Sequence, residues 1–423
     1  MGVVVPRVRG LRILVGLTVA VWQLGCAGGV DPAPIRIGLL HSFTGSMASS
    51  EISVAEATRL AVTELNEQGG LLGRQIEIVE ADGESSPGVF AAQAERLIVD
   101  EQVTAVFGCW TSASRRNVRP VIDTHDHLLF YPLQYEGLEQ STNIIYLGAT
   151  PNQQILPAVE WALLNRYDRL FLVGSDYVFP RAANEIIKDH VDLWRGEIVG
   201  EEYLQLGTLD VEAVIDRIVE TEPDIILNTI NGLETNQAFF QSLRARGLTS
   251  EALPSLSFSL SEIELDRDDG SMVGDYVMWN YLQALATPRN IDFVSRFQAS
   301  YGQQRPVGDP MASAYIGVNL WAAAVEAAGS VEPDEVKAAL RGLSINSPAG
   351  MVHVDEQNQH LWKTVWLGQI EADGMIRERW STGIPIPPEP YPATRTVAEW
   401  DAFLGGLQAG WNGAWENPGS TAP

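Results

Sequence analysis

Apolar and polar positions along this chain fall into two alternating rhythms. Short β-branched runs at Ile35 to Leu40, Gln75 to Glu80, Thr104 to Phe107 and Leu128 to Tyr131 read as strands. The segments between them, Glu51 to Gln68, Val89 to Asp100 and Ser114 to Asp123, are longer and amphipathic and read as helices. Such a strand and helix alternation predicts parallel pairing through right-handed crossovers. After Ile144 to Leu147 the rhythm restarts with helix Asn152 to Asn165, strand Leu170 to Gly174 and helix Pro180 to Leu193. It continues as strand Glu197 to Tyr203, helix Asp210 to Thr221, strand Ile225 to Thr229 and helix Leu233 to Ala245. Two similar halves are implied, each a doubly wound α/β unit.

Three later helices, Ile291 to Tyr301, Met311 to Ala328 and Pro333 to Arg341, would overload the second sheet. Some of them are expected to return to the first lobe. Chain crossings near 149, 279 and 343 then make a three-stranded hinge, and a cleft between lobes is where small ligands commonly bind. The expected partition is 1–26 as an export and lipoprotein signal region, 35–148 plus 280–342 as lobe I, and 149–279 plus 343–392 as lobe II. Residues 393–423, after the Pro-rich run Pro385 to Pro392, read as a loosely attached tail. Trp400, Trp411 and Trp415 offer that tail an alternative, docking on the body.

Size and composition agree with this pattern. A chain of 423 residues exceeds what one core usually organises, and 45 % hydrophobic with 19 % charged residues suits a globular α/β protein. Charge narrows the partners: 28 Lys+Arg against 54 Asp+Glu give a net charge of -26, which repels phosphate backbones, so nucleic acid is not an expected partner.

The amino terminus runs against that acidity. Arg7, Arg9 and Arg12 precede the nine-residue apolar run Ile13 to Val21 and then Gln23-Leu24-Gly25-Cys26, the layout of an export signal. The run is too short to span a bilayer. Cys26 after a small residue resembles the lipid-attachment site of bacterial lipoproteins, with Gln23 where Leu is usual. The expectation is an exported protein, periplasmic or at the cell surface, held by a lipid anchor on Cys26. Cys109, the second of 2 cysteines, then has no partner, and no disulfide framework is expected.

Candidate chemistry lies where strands end, since open α/β sheets bind ligands at their carboxyl edge. Trp110, Thr111 and Ser112 follow the strand at 104–107. The Ser112 hydroxyl and nearby helix-start amides can donate to a carbonyl oxygen, whereas capping of the helix by Ser112 or Ser114 is the plainer role. Tyr131, the backbone at Leu133, and Gln134 leave another strand end in a turn stiffened by Pro132 and can accept hydrogen bonds from an amide nitrogen. Lobe packing is the alternative for these aromatics. From the other half, Asp176 and Tyr177 are placed to face that set across the cleft. Asn231, Ser259 and Ser261 hold comparable strand-end positions, which ordinary turn residues also occupy.

Signals of catalysis are scarce: the chain has no G-x-S-x-G elbow, no phosphate loop and no H-E-x-x-H. His125-Asp126-His127 is the one cluster with metal-ligand character, and it reads as a polar turn before a strand. No enzyme and no cofactor are expected.

The turn Asn66-Glu67-Gln68-Gly69-Gly70-Leu71-Leu72-Gly73-Arg74-Gln75-Ile76 ends a helix at a glycine pair and launches a strand. It resembles the corresponding turn of type I periplasmic binding proteins, the Leu/Ile/Val-binding group. Gly108 to Arg115, Phe130 to Gly137 and Gly174 to Pro180 resemble the urea-binding branch of that family, with short-amide receptors as near relatives. The likeness covers about 35–392, including Ala149 to Pro157, Asp309 to Gly317 and His360 to Lys363, and stops before 393–423. It implies two doubly wound lobes joined by a three-stranded hinge, closing on urea and docking on the permease subunits of an ABC-type transporter.

Urea is planar and uncharged, so its site needs several acceptors, a donor or two and a narrow slot. Trp110, Tyr131 and Tyr177 would shrink the cleft to that size. A free amino acid would instead need a carboxylate clamp and an acid for its ammonium. Rival readings are a receptor for acetamide or formamide, in transport or as a ligand-sensing regulator, and an amidohydrolase. The export signal opposes a cytoplasmic regulator, and the missing nucleophile and metal motifs oppose the hydrolase.

Overall fold

Strand β1 (Ile35–His41) shows how the first sheet is built. Ile35, Ile37 and Leu39 alternate with Leu40 across the strand, the first two entering one core cluster and Leu40 another on the opposite face. A parallel sheet covered by helices on both sides requires this two-faced burial. The computed structural model describes residues 1–4, 33–265 and 268–420, so the expected export signal, Cys26 included, lies outside the described residues.

The chain continues through α1 (Ala48–Glu67), β2 (Ile76–Asp82), α2 (Pro87–Val99), β3 (Val106–Gly108), α3 (Ser112–Thr124), β4 (Leu129–Tyr131) and β5 (Ile144–Tyr146). The five strands form one sheet of order β2-β1-β3-β4-β5, every neighbouring pair parallel. The second half runs α4 (Ile155–Leu164), β6 (Arg169–Ser175), α5 (Val178–Trp194), β7 (Glu197–Leu204), α6 (Glu212–Thr221), β8 (Ile225–Thr229), α7 (Leu233–Ala245), β9 (Ser255–Ser257), α8 (Glu262–Leu265) and β10 (Tyr276–Trp279). Its strands pair in parallel as β7-β6-β8-β9-β10, the same order as the first sheet. The two halves are therefore topological repeats, and each has its switch point between its first and third strands.

The return to the first lobe is made by α9 (Pro288–Tyr301), α10 (Asp309–Ala328) and α11 (Pro333–Leu340). Phe293, Met311, Trp321, Val336 and their neighbours complete the first core. An antiparallel sheet of β11 (Ser344–Ser347), β12 (Gly350–Val354) and β13 (Leu361–Trp362) follows. This departs from the expected boundary at 343. Val352, Val354 and Leu361 bury against the first core, and His360 bridges Tyr146 of β5, so 344–362 packs with lobe I. The third crossing falls at 363–365 instead. Only β14 (Trp366–Ile370) and β15 (Ile376–Ser381) extend the second sheet, antiparallel beside β10.

Polar groups tie the three crossings together. Lys363 Nζ donates to the Leu147 carbonyl at 2.8 Å and to Ser313 Oγ at 3.1 Å, with Asp309 at 3.9 Å. Asn280 donates its side-chain amide to the carbonyls of Gln153 and Thr364, each at 3.1 Å, and its backbone N–H to Asp309 Oδ2. Burial pushes the Lys363 amine down and the Asp309 carboxyl up, the usual direction for charges removed from water.

The last helix, α12 (Val397–Gly410), corrects the expectation of a loose tail. Thr396 and Glu399 form a capping box at its start. Trp400 is 0 % exposed and joins Leu404 and Trp411 in the core cluster that also holds Tyr177 and Val178. Arg395 pairs with Glu185 and Asp189 of α5, each at 2.6 Å. Apolar burial and these ion pairs make residues 395–411 part of lobe II.

Candidate functional site

Because the sheets repeat, equivalent strand ends contribute equivalent loops. β1 and β6 are followed by Ser42 and by Asp176-Tyr177, β3 and β8 by Trp110 to Ser112 and by Asn231, and β4 and β9 by Gln134 and by Ser259. The loops after the fourth strands of the two sheets meet directly: Gln134 Nε2 donates to the Phe258 carbonyl at 3.0 Å. The α3 and α5 starts also meet, since Ala113 packs in the same cluster as Tyr177 and Val178.

On the lobe I side, the end of β3 lies against β1. A Cβ on Gly108 would sit 1.9 Å from the Leu40 carbonyl, so only glycine fits there. Cys109 follows with φ 65, a left-handed conformation that is strained for a side-chain residue. Half-buried Trp110 is held by its own carbonyl, which accepts the Tyr131 hydroxyl at 2.8 Å. Thr111 is the α3 cap, its Oγ1 accepting the Ser114 N–H at 3.0 Å.

Ser112 does not match the expected donor role. Its hydroxyl donates to Glu136 Oε2 at 2.5 Å and accepts from Arg115 Nη1 at 3.1 Å, so the proton is committed inside the lobe. Donors for a carbonyl oxygen must come from the Ser112 and Ala113 amides at the start of α3, since the Ser114 N–H is taken by Thr111. Tyr131 is likewise fully buried, its hydroxyl spent on Trp110. Leu133 is buried, and its peptide packs so closely on Gly148 that a Cβ there would lie 2.0 Å from it.

Behind these loops sits a buried charge cluster that sequence reading missed. Arg115, 0 % exposed, donates to Glu139 at 2.9 Å and to Glu136 at 3.2 Å, and lies over the rings of Tyr131 and Tyr135 at 4.8 and 4.5 Å. Arg116 pairs with both glutamates as well. Burial alone would raise the Glu139 carboxyl, yet Arg115, Arg116 and Arg119 hold it down at about 2. Every buried guanidinium here is neutralised by a carboxylate.

Buried side-chain atoms at strand ends that have no hydrogen-bond partner among the described residues include His41 Nε2, Gln134 Oε1 and Ser259 Oγ, together with Asn280 Oδ1 and Tyr281 Oη after β10. His41 was not foreseen, though it closes β1 at the same edge as the others. Its Nδ1 lies 3.0 Å from Glu51 Oε2, which also accepts the Ser42 N–H at 2.9 Å. An acceptor at Nδ1 places a ring proton there, and in the neutral ring Nε2 then carries a lone pair.

On the lobe II side, Asp176 accepts from Arg181 at 2.8 Å and from Asn417 at 2.6 Å, so its carboxylate is engaged. Tyr177 is 3 % exposed and pairs its backbone with Glu416. Asn231 donates its N–H to Ser175 Oγ of β6 at 2.9 Å, while its side chain serves its own turn by donating to the Thr229 carbonyl at 3.2 Å. Ser261 Oγ donates to Glu264 at 2.7 Å. A cavity of about 270 Å³ between Ser50, Ser53, Leu233, Ile263, Glu264 and Arg305 opens between the lobes.

The His125-Asp126-His127 cluster disperses. His125 faces Glu95 at 3.0 Å, Asp126 pairs with Lys337 at 2.6 Å, and His127 Nε2 lies 2.7 Å from the Val103 carbonyl. Among the described residues no group of three or more His, Cys, Asp or Glu is placed to hold a metal ion.

Two repeated switch points facing one another across a three-crossing hinge form a clamp for a small molecule. A family model described as a periplasmic binding protein domain matches residues 35–397. The chain belongs to the periplasmic binding protein family. Membership assigns it a binding role and not a catalytic one. Among curated proteins it is 21 % identical over 344 residues to the Leu/Ile/Val-binding protein homolog 6 of Brucella suis, covering 79 % of this chain and 87 % of that one. Homolog 8 of the same organism is 22 % identical over 360 residues, covering 79 % and 86 %.

Among solved structures, the solute binding protein of an ABC transporter from Rhodopseudomonas palustris BisB5, in complex with 3,4-dihydroxy benzoic acid, superposes with a TM-score of 0.77. It is 21 % identical and covers 84 % of this chain and 99 % of that chain. A leucine binding protein from Thermotoga maritima MSB8 gives a TM-score of 0.73 at 18 % identity, covering 82 % and 98 %. These likenesses establish the fold of this periplasmic binding protein. None of its helices, among the described residues, is long and apolar enough to cross a membrane.

Proposed function

We propose that this periplasmic binding protein captures urea, or a similarly small neutral amide such as acetamide or formamide, between its lobes and hands it to permease subunits. In this reading the protein is exported and anchored through a lipid on Cys26. The observation that carries the proposal is the polar inventory of the strand ends. Among the described residues Gln134 Oε1 is a buried acceptor without a donor, His41 Nε2 and Ser259 Oγ are buried without partners, and Arg115 and Arg116 are already neutralised. Unpaired buried acceptors are costly, so a ligand rich in N–H groups is favoured there. The α3 amides supply donors for its carbonyl oxygen.

The benzoate- and leucine-binding neighbours take carboxylate ligands, which need an uncommitted cation or several donors. Arg115 and Arg116 are not available for that purpose. Calorimetric titration with urea, acetamide, formamide, leucine and 4-hydroxybenzoate tests the reading. Binding of urea or a short amide alone is expected; binding of leucine or the benzoate with no amide response overturns it.

A further inference from the structure

The C-terminal segment after α12 touches both lobes. Its hold on lobe II is made at the start of α5. The Val178 N–H donates to the Trp415 carbonyl at 3.0 Å, Tyr177 and Glu416 form an antiparallel bridge, and the Asn417 N–H donates to the Asp176 carbonyl at 3.2 Å. Asn417 also binds the Asp176 carboxylate through its side chain at 2.6 Å. Its hold on lobe I includes one ring contact, the Arg116 guanidinium lying 4.7 Å from the Trp415 ring centroid. Arg116 belongs to α3 and is fixed by Glu136 and Glu139, so Trp415 grips a rigid partner. Trp415, Arg116, Arg119 and Glu139 line a common recess with Gln408 of α12.

Hinge opening separates the start of α3 from the start of α5. It must therefore break either the Trp415 contact to Arg116 or the hydrogen bonds from 415–417 to Asp176 and Val178. We propose that Trp415, Glu416 and Asn417 are positioning residues of the cleft: they hold Asp176 and Tyr177 in place and latch the closed lobes, so that ligand release requires the latch to let go. This goes beyond the ligand assignment and rests only on closure between the lobes. Glu416 is half-buried at the latch, where burial pushes its carboxyl up.

The test uses the full chain with Cys26→Ser and one spin label on each lobe, at Ala92→Cys and Ala213→Cys, both on outward helix positions. Ligand-free distance distributions and stopped-flow release of urea are compared for the parent, Trp415→Ala and Asn417→Ala. Each substitution is expected to shift the ligand-free distribution toward longer distances and to speed release about five-fold, with association changed less than about two-fold. Unchanged distances overturn the latch, including the case in which only the melting temperature falls, because a merely structural Trp415 would act on stability alone. Failure of the parent to bind urea overturns the ligand assignment, and the distance comparison still decides the latch. If Trp415→Ala does not fold, the distances measured in Asn417→Ala decide between the two outcomes.

Discussion

The two parallel sheets share one strand order, yet their binding edges are finished by different means. In lobe I the loops after β3 and β4 are locked from within, by Arg115, Arg116, Glu136 and Glu139, all drawn from 115–139. In lobe II, Asp176 is fixed by Arg181 nearby and by Asn417, 241 positions away in sequence. Topology thus places both edges, while rigidity comes from local buried charge on one side and from the chain terminus on the other. A clamp with one preset jaw and one adjustable jaw is the result.

Breaking the charge cluster is the strongest way to test the preset jaw. Glu139→Ala leaves Arg115 and Arg116 short of a carboxylate in a dry site and should cost about 3–5 kcal/mol in denaturant unfolding. A loss below about 1 kcal/mol, the range of exposed ion pairs, would show that water reaches the cluster. For lobe II the matching test is Trp400→Ala, which should also cost about 3–5 kcal/mol if α12 is integral to that core. Near-neutral stability would restore the picture of a loose tail.

The comparison sharpens at the cleft itself. Gln134→Ala should weaken amide binding about ten-fold, the loss of one well-made hydrogen bond, whereas Asn231→Ala should stay within about two-fold because that side chain serves its own turn. Calorimetry on both variants checks this, and equal effects would erase the distinction. The expectation that depends on pH concerns Glu262, which burial pushes up to about 8 from an ordinary 4.5. The native carboxyl keeps its proton between those values while the unfolded one has lost it. Stability contributed by the protonated form is therefore full below about pH 4.5 and is lost as pH rises toward 8. Glu262→Gln should flatten the fall in melting temperature across that window, and an unchanged slope would assign the titration elsewhere.

Much of the site was legible at the level of loops. Trp110 to Ser112, Gln134, Tyr177 and Ser259 stand out because they follow strands, and the sheet order puts those strand ends at the two switch points. His41 obeys the same rule at the end of β1, yet a single histidine closing a strand gives no local signal of its own. What individual atoms do was not legible. Ser112 reads as a free hydroxyl until Glu136, 24 positions on, is seen to take its proton. Asp176 reads as a ligand carboxylate until Asn417 is seen on it.

By itself, the sequence determined the repeated α/β rhythm, the acidic balance and the strand-end loops, because hydrophobic periodicity and turn chemistry are local. Tertiary structure alone decided that 344–362 packs with lobe I, that α12 is buried, and which polar atoms remain unpaired. Those outcomes depend on contacts between segments far apart in the chain, where burial and charge pairing select among placements that local pattern leaves open.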